Sequence, residues 1–385
     1  MVEPSEPSEP LRRVGVVEDR RSSRSGNPVP MTDVDPQRSG LAGKPARRPA
    51  RITPIALALF AVLVVSSIWA VGIGPVPVPF SRVYRILAET HASWLGVRSS
   101  AGAGERSIVL GIRLPRVLLG AIVGGGLGIS GAVLQALLRN PLADPYVIGV
   151  SSGASFGVVT LMLVPNLPFS ALSLPAGAFL GALGAFAMVF AMARKDSRLA
   201  PVRLVLAGVA VAAVLSALTQ WVVLTAENSD VRTSLSWTLG SLTGVPLGDL
   251  VAPAVVTALI TVVFLVVAGQ LNAFALGEES AGTLGIHVER FRAVLVVLCA
   301  LLIGTLVAYS GAVGFVALVV PHIVRLLFGT DHRKVLPFSF LVGASFLVWA
   351  DVAARMVSAP SEVPLGVVTA LVGGPFFLWI LRRNS

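Results

Sequence analysis

The sequence predicts an all-α polytopic membrane protein with about ten transmembrane helices and an inverted internal repeat. Long uncharged runs recur along the chain, 55% of its residues are hydrophobic, and only 13% are charged. Soluble globular domains carry roughly 25% charged residues, so this composition is typical of a membrane protein. The net charge of +10 does not indicate nucleic-acid binding, because the basic residues are scattered between apolar runs and form no stripe.

The chain divides into a polar tail and a transmembrane domain. Residues 1–52 are rich in Pro, Ser, Arg and Glu and lack apolar runs, which predicts a disordered cytoplasmic N-terminal tail. Residues 53–385 form the predicted transmembrane domain. A cleaved leader would begin near residue 1, so the apolar run Thr53–Gly74 is the first predicted transmembrane helix. Basic residues precede this run, as expected for an inner-side anchor: Lys44, Arg47, Arg48 and Arg51.

Prolines and charged loops divide the remaining apolar sequence into nine further helices. A Pro-rich connection follows the first helix and includes a short amphipathic helix near residues 80–95. The second to fifth helices cover about 115–137, 147–164, 172–193 and 202–224. The uncharged piece 234–248 is too short to span, which predicts a re-entrant or half helix. The sixth to tenth helices cover about 250–270, 293–309, 315–328, 334–356 and 364–381.

Glycines mark the second predicted helix as one that packs against protein. Five glycines lie between positions 120 and 128. In lipid, such residues let neighbouring helix backbones approach closely. Cys299, in the seventh helix, is the only cysteine and is expected to be a small buried apolar residue.

The loops and a repeated motif predict orientation and symmetry. Lys and Arg are concentrated in alternate loops that include residues 194–203 and both termini, which predicts a cell-membrane protein with both termini in the cytoplasm. SGAV followed seven residues later by Pro occurs at Ser130–Pro141 and again at Ser310–Pro321. These copies lie on the second and seventh helices, which run in opposite directions, and therefore predict an inverted repeat.

Five motifs carry a resemblance to a known family of permeases. They are RLPR at 113–116, ISGAVLQALLRNPLADP at 129–145, GVSSGAS at 149–155, GFVALVVPHIVRLLFGTDHR at 314–333 and PLGVVTALVGGPFFLWIL at 364–381. In these motifs the chain from about residue 50 to 383 resembles the FecCD family, the permease subunits of ABC importers for ferric siderophores, haem and cobalamin. Ala312 and Ala317 stand where Pro or Gly is common in that family.

The resemblance implies a permease subunit of a type II ABC importer, without enzymatic activity and without a cofactor. It implies four partners: a dimer of ABC ATPase subunits, an extracytoplasmic substrate-binding protein, membrane lipid and a second permease subunit, in a homodimer or a heterodimer with a paralogue. It places the translocation cavity on the dimer axis, where small residues at Ser234–Gly244 and Gly366–Gly374 leave room for a bulky metal chelate. A ferric siderophore is the expected substrate, with haem and cobalamin as alternatives.

The inner segment 271–292 resembles the coupling loop through which the family contacts its ATPase. The predicted contact residues are Leu276, Glu278, Glu279, Ala281, Leu284 and Gly285. Their pattern also predicts a short helix with one apolar face, ended by the glycine and favoured by acidic residues at its N-terminus. The competing interpretation is a solvated loop with a short amphipathic helix.

Arginines at the predicted outer surface point to an acidic partner. Arg113 and Arg116 stand at the outer N-terminus of the second helix, where cations oppose the helix dipole. The resemblance implies that Arg113, Arg116 and Arg355 meet acidic residues of the substrate-binding protein. For Arg355 the alternative is a structural ion pair with Asp351, four residues earlier.

Several other functions are excluded or disfavoured. Lys44, Lys195 and Lys334 are followed by Pro, Asp and Val, so the chain has no Gly-Lys-Ser/Thr phosphate loop and the ATPase must be a separate subunit. The histidines lack metal-ligand spacing, and His322 is expected to pack between helices. An ion-coupled secondary transporter would need an intramembrane ionisable relay, and a polytopic membrane enzyme would need convergent polar groups. The sequence indicates neither, so both functions are disfavoured.

Overall fold

The computed structural model describes residues 52–92, 102–144, 149–164, 172–195, 198–226 and 231–383. The predicted N-terminal tail, up to residue 51, lies outside these residues. Within them the chain is almost entirely helical, which confirms the all-α prediction. The strands described are β1 (Arg194–Lys195) and β2 (Arg198–Leu199), an antiparallel pair in which Arg194 lies opposite Leu199.

The helices follow the predicted order. They are α1 (Ile52–Gly72), α2 (Phe80–Ala92), α3 (Ala103–Arg106), α4 (Leu114–Leu137), α5 (Val150–Leu163), α6 (Leu174–Ala193), α7 (Pro201–Thr225), α8 (Val231–Thr238), α9 (Val251–Val266), α10 (Ala268–Ala275), α11 (Glu278–Thr283), α12 (Val288–Ser310), α13 (Val316–Phe328), α14 (His332–Met356) and α15 (Leu365–Arg383). A π-helical segment, Ser107–Arg113, joins α3 to α4, and a 3-10 turn, Leu247–Leu250, precedes α9.

The number of apolar helices agrees with the predicted ten. Seven described helical stretches are long and apolar enough to cross a membrane, and three shorter apolar helices, Val150–Leu163, Val316–Phe328 and Leu365–Trp379, accompany them. The predicted amphipathic helix is α2, and the predicted half helix is α8, which ends at Thr238 and so is shorter than expected. The second span begins earlier than expected, because the helical stretch continues back to Ala103.

The glycines of α4 bring it into close contact with α14, as the sequence predicts. A Cβ atom at Gly124 would collide with the carbonyl oxygen of Gly343, and one at Gly128 would collide with that of Ser339. Most of α4 is buried. This helix is therefore the centre of the bundle, and most of its neighbours are protein.

The packing agrees with the predicted inverted repeat. The α4 helix packs on α13 and α14, while α12 packs on α5 and α6. If the repeat relates α4 to α12, it also relates α5 and α6 to α13 and α14. Each central helix therefore packs on the two helices that follow the other one, as this repeat requires. Cys299 of α12 is fully buried, as expected.

Loops that the sequence assigns to the same side of the membrane lie together. On the predicted inner side, the Leu199 amide donates to Glu289 over 2.9 Å and Asn272 donates to Asp331 over 2.7 Å. On the predicted outer side, Arg355 donates to the carbonyl oxygen of Ile73 over 2.9 Å. The bundle therefore has two polar ends, separated by the apolar helices.

Candidate functional site

The three predicted docking arginines lie together at the outer end. With two carboxylates they form what we call the outer arginine cluster: Arg113, Arg116, Asp351, Arg355 and Glu362. The arginines are only 3–5% exposed and Asp351 is 1% exposed. The Glu362 side chain is 39% exposed, so it is the acid in this cluster that faces outward.

Arg116 joins three parts of the chain through ion pairs. Its Nε lies 2.6 Å from Asp351 Oδ1, which links α4 to α14. Its Nη1 lies 2.8 Å from Glu362 Oε1, in the loop between α14 and α15. Arg355 Nε lies 3.1 Å from Asp351 Oδ2, which confirms the structural pair predicted as the alternative for Arg355.

The arginines also contact carbonyl oxygens at the C-terminal end of α1 and just beyond it. Arg113 donates to the carbonyl oxygen of Gly72 over 3.0 Å, and Arg355 donates to that of Ala70 over 3.3 Å. These carbonyls end a helix and favour cations. Part of the charge compensation that the arginines were expected to find in a partner is thus present within the chain, since two carboxylates face three guanidinium groups. The docking role of these arginines stays a prediction, and Glu362 is the residue that sequence reasoning missed.

The predicted ATPase contacts lie around α11 at the inner end. Leu276 and Leu284 are 78% and 67% exposed, whereas Ala281 is fully buried. The expected single apolar face is therefore wrong, because Ala281 is buried against the bundle while the two leucines are exposed. Gly285, with φ of +81°, follows the helix as predicted. Glu278 and Glu279 occupy the first turn.

A residue that sequence reasoning missed holds this segment in place. Arg292 of α12 is 2% exposed and forms an ion pair with Glu278. It also donates to the carbonyl oxygen of Leu199 over 2.9 Å and lies over the ring of Phe274, 5.4 Å from its centroid. Arg292 therefore connects α11 to the inner loop that carries β2. The sequence alone does not show that Arg292 is buried, so it could not be distinguished from the other basic residues near the inner loops.

Asn272 connects the coupling segment to α14. Its Oδ1 accepts from the backbone NH of His332 over 2.8 Å, and its Nδ2 donates to Asp331, which caps α14. Burial alone would raise the pKa of Asp331, but hydrogen bonds from Asn272 and the Arg333 amide, with the charges of Arg333 and Lys334, hold this pKa below its usual value. The Asp331 carboxylate is therefore a stable cap at neutral pH.

Two cavities lie on either side of the half helix α8. The first, of about 410 Å³, is bordered by α5, α7 and α8, and we call it the hydroxyl-lined cavity because its polar residues are Ser151, Ser152, Ser155, Ser216, Thr219, Gln220 and Thr238. The second, of about 560 Å³, is bordered by α13 and α15, and we call it the apolar cavity. Thr238 and Ala312 border both cavities, so the two are adjacent.

Three glycines allow three backbone segments to approach one another closely between these cavities. The Gly366 amide donates to the Leu239 carbonyl oxygen over 3.0 Å, and the Ser241 amide donates to that of Ser310 over 2.8 Å. Any Cβ atom at Gly240, Gly311 or Gly366 would collide with a neighbouring carbonyl oxygen. This glycine crossing (Gly240, Gly311 and Gly366) satisfies the backbone groups of interrupted helices inside the bundle.

No cluster of three or more His, Cys, Asp or Glu residues that could hold a metal ion occurs in the described part of the chain. The ring of His322 instead packs edge-on against Phe376, with centroids 6.5 Å apart, and so joins α13 to α15. This contact agrees with the packing role expected for His322.

Comparison with known families decides which permeases this arrangement belongs to. The sequence profile described as the FecCD transport family matches residues 62–383. The chain belongs to the FecCD transport family. The FecCD match covers every membrane helix described except the start of α1.

Relatives and a solved structure agree with this assignment. The chain is 43% identical to the cobalamin import system permease protein BtuC of Halobacterium salinarum, over 72% of this chain and 74% of that protein. It is 41% identical to the hemin transport system permease protein HmuU of Yersinia pestis, over 72% and 84%. An inward-facing metal-chelate type ABC transporter structure, 29% identical, covers 86% of this chain and 99% of its own, with a TM-score of 0.71.

As a FecCD permease, the chain places the predicted lining residues beside both cavities. Thr238, from the small-residue stretch 234–244, and Gly366, from the stretch 366–374, are among the lining residues. Ser234 of the same stretch is instead buried, with its hydroxyl donating to Val231. The serines of α5 were not predicted as lining residues.

Proposed function

We propose that this chain is the membrane-spanning permease subunit of a type II ABC importer, and that it moves a ferric siderophore into the cell. The observation that carries the proposal is the pair of adjacent cavities at α8 in a chain of the FecCD family. Their volumes lie in the range of roughly 300–1,000 Å³ that is usual for small-molecule sites. Haem and cobalamin are the alternative cargoes, because proteins named for both are among the relatives.

A second permease subunit completes the pathway, in a homodimer or a heterodimer with a paralogue. The support is the exposed part of α7, where Ser216 and Gln220 line the open side of the hydroxyl-lined cavity and Trp221 lies beside them. Lipid does not accommodate unpaired amide and hydroxyl groups well, so this mixed face suits a protein interface beside a water-filled passage.

A dimer of ABC ATPase subunits docks at α11 on the cytoplasmic side. The exposed side chains of Leu276 and Leu284 are available to an apolar pocket of such a partner. The contacts of Arg292 would transmit a displacement of α11 to α12 and to β2. Both termini lie in the cytoplasm in this arrangement.

An extracytoplasmic substrate-binding protein docks at the outer arginine cluster. Three guanidinium groups face two carboxylates there, so the cluster keeps an excess positive charge. Because Glu362 is the exposed acid, an acidic residue of the binding protein would replace it on Arg116. Docking would then exchange one ion pair for another and leave the pair between Arg116 and Asp351 intact.

An ion-coupled secondary transporter fits the structure less well. The buried carboxylate of Asp351 contacts two arginines and is held as a structural group, which does not suit a proton or cation relay.

The decisive test is uptake of a ferric siderophore into proteoliposomes. The permease is reconstituted with its ATPase and a lipid-anchored or soluble binding protein, and radioactive iron inside the vesicles is measured. We expect uptake only with ATP and all three components. Uptake driven by an ion gradient without ATPase, or ATP hydrolysis by the permease alone, would overturn the proposal.

A further inference from the structure

The hydroxyl-lined cavity is polar without being charged. Three serines of α5 face Ser216, Thr219 and Gln220 of α7 across it, and Thr238 of α8 borders the same space. None of the described residues that line it is acidic or basic. A cavity of this kind can offer hydrogen bonds to a ligand, but it has no counter-charge for an ion.

The buried hydroxyl group of Ser151, beside the cavity, lacks a hydrogen-bond partner among the described residues. Ser151 is only 3% exposed. Buried hydroxyls are normally paired, so this one indicates a missing partner. By contrast, Thr219 and Thr238 donate to carbonyl oxygens of their own helices, over 2.7 Å and 2.8 Å, and keep only acceptor capacity.

None of the described residues that line the adjacent apolar cavity is basic either. Its lining is mostly aliphatic, and the charged residue that borders it is Asp144. A polyanion that passed both cavities would therefore leave water without meeting a guanidinium or ammonium group among the described lining residues. Moving a charge from water into such surroundings without a partner is strongly unfavourable.

We propose that the hydroxyl-lined cavity is a selectivity site for metal chelates whose periphery is neutral and rich in carbonyl and amide groups. A tris-hydroxamate ferric chelate has this chemistry, whereas a tris-catecholate ferric chelate is trianionic. The inference rests on the proposed function and narrows its substrate class. Ser151, with its unpaired hydroxyl, and Ser216 across the cavity supply the hydrogen bonds to the chelate.

The test measures protection of a cysteine by defined ferric chelates. Ser155→Cys is introduced into a Cys299→Ala background of the assembled transporter in lipid nanodiscs, and its alkylation by a neutral maleimide is timed. The probes are a neutral tris-hydroxamate ferric chelate and a trianionic tris-catecholate ferric chelate, each at millimolar concentration. Ser280→Cys is the matched control, because Ser280 is exposed on α11 and does not line the cavity.

We expect the tris-hydroxamate chelate to slow alkylation of Ser155→Cys by about tenfold, a difference of about 1.4 kcal/mol, while the tris-catecholate chelate leaves the rate unchanged. Ser151→Ala should weaken this protection, and neither chelate should protect Ser280→Cys. Equal protection by both chelates, or protection by neither, would overturn the selectivity site. If ATP-driven uptake of iron chelates still occurs in the proteoliposomes, the proposed function stands and this inference alone fails; if uptake is also absent, both fail.

Discussion

Arg292 and Glu278 form an ion pair that ties the first turn of the coupling helix α11 to the start of the long helix α12. The guanidinium is buried, while the Glu278 side chain is 42% exposed. The same guanidinium holds the Leu199 carbonyl oxygen, so one side chain joins three segments of the inner end.

Arg292→Met should uncouple the ATPase from transport. The variant keeps an apolar stem over Phe274 but loses the ion pair and the hydrogen bond to Leu199, so α11 is held less firmly. We expect uptake to fall by about tenfold, which corresponds to about 1.4 kcal/mol. Arg290→Met, at an exposed position two residues earlier, is the control. Unchanged uptake by the Arg292 variant would refute the connecting role.

Gly124→Ala should destabilise the bundle. The added methyl group would collide with the Gly343 carbonyl oxygen and force α4 away from α14. Overpacking of this kind costs about 1–3 kcal/mol. The measurement is the thermal midpoint in detergent, which should fall by several degrees. Gly184→Ala is the matched control, since a Cβ atom there meets nothing within 4 Å. A midpoint equal to that of the control would contradict the packing role.

Glu362→Gln should strengthen docking of the binding protein. The substitution removes the exposed acid that competes for Arg116, and we expect a severalfold lower dissociation constant at low salt. Arg116→Glu should weaken docking by more than about tenfold, since desolvated interface pairs couple by roughly 1.5–7 kcal/mol.

Two controls separate docking from folding in that experiment. Arg106→Gln changes charge at an exposed outer position and should have little effect. The thermal midpoint of each variant reports damage to the pair with Asp351, whose loss would cost about 3–5 kcal/mol. Docking that is unaffected by both the Glu362 and Arg116 changes would remove the cluster from the interface.

Leu276→Ala together with Leu284→Ala should weaken binding of the ATPase. Both side chains are exposed in the permease alone, and burying a leucine contributes about 1.5–3 kcal/mol. Co-purification of the ATPase should therefore fall markedly. Ser280→Ala, on the same helix, should bind normally. If the double variant retains full ATPase binding, the contact lies elsewhere.

The orientation of the chain can be checked with two cysteine probes in a Cys299→Ala background. Ser107→Cys lies at the predicted outer end and Ser280→Cys at the predicted inner end, and both positions are exposed. A membrane-impermeant maleimide added to intact cells should label the first and not the second. The reverse pattern would place both termini outside.

The positions of the membrane helices could be predicted because a charge-free run long enough to span the bilayer, and the prolines that end it, are visible in the local sequence. The α11 helix and its terminal Gly285 were predicted from the family resemblance and from another local pattern, acidic residues at the start of the segment and a glycine at its end. The burial of Ala281 was not predicted, because it depends on which face of α11 packs against the bundle. Glu362 was missed because its partner, Arg116, lies 246 residues away in the chain. Arg292 has two acids nearby in the sequence, but it also bonds the carbonyl oxygen of Leu199, 93 residues away, and its burial is not visible in the sequence. Such long-range contacts are defined by tertiary packing and leave no local pattern.

The pair between Arg116 and Asp351 has a consequence for biosynthesis. The two residues are 235 positions apart, so α4 is made long before α14. At about 5–20 residues per second, the ribosome needs on the order of ten seconds to supply the acid. During that interval the Arg116 guanidinium must remain in headgroup water or be shielded by an insertion factor. The last third of the chain therefore controls when the first third can settle into the membrane.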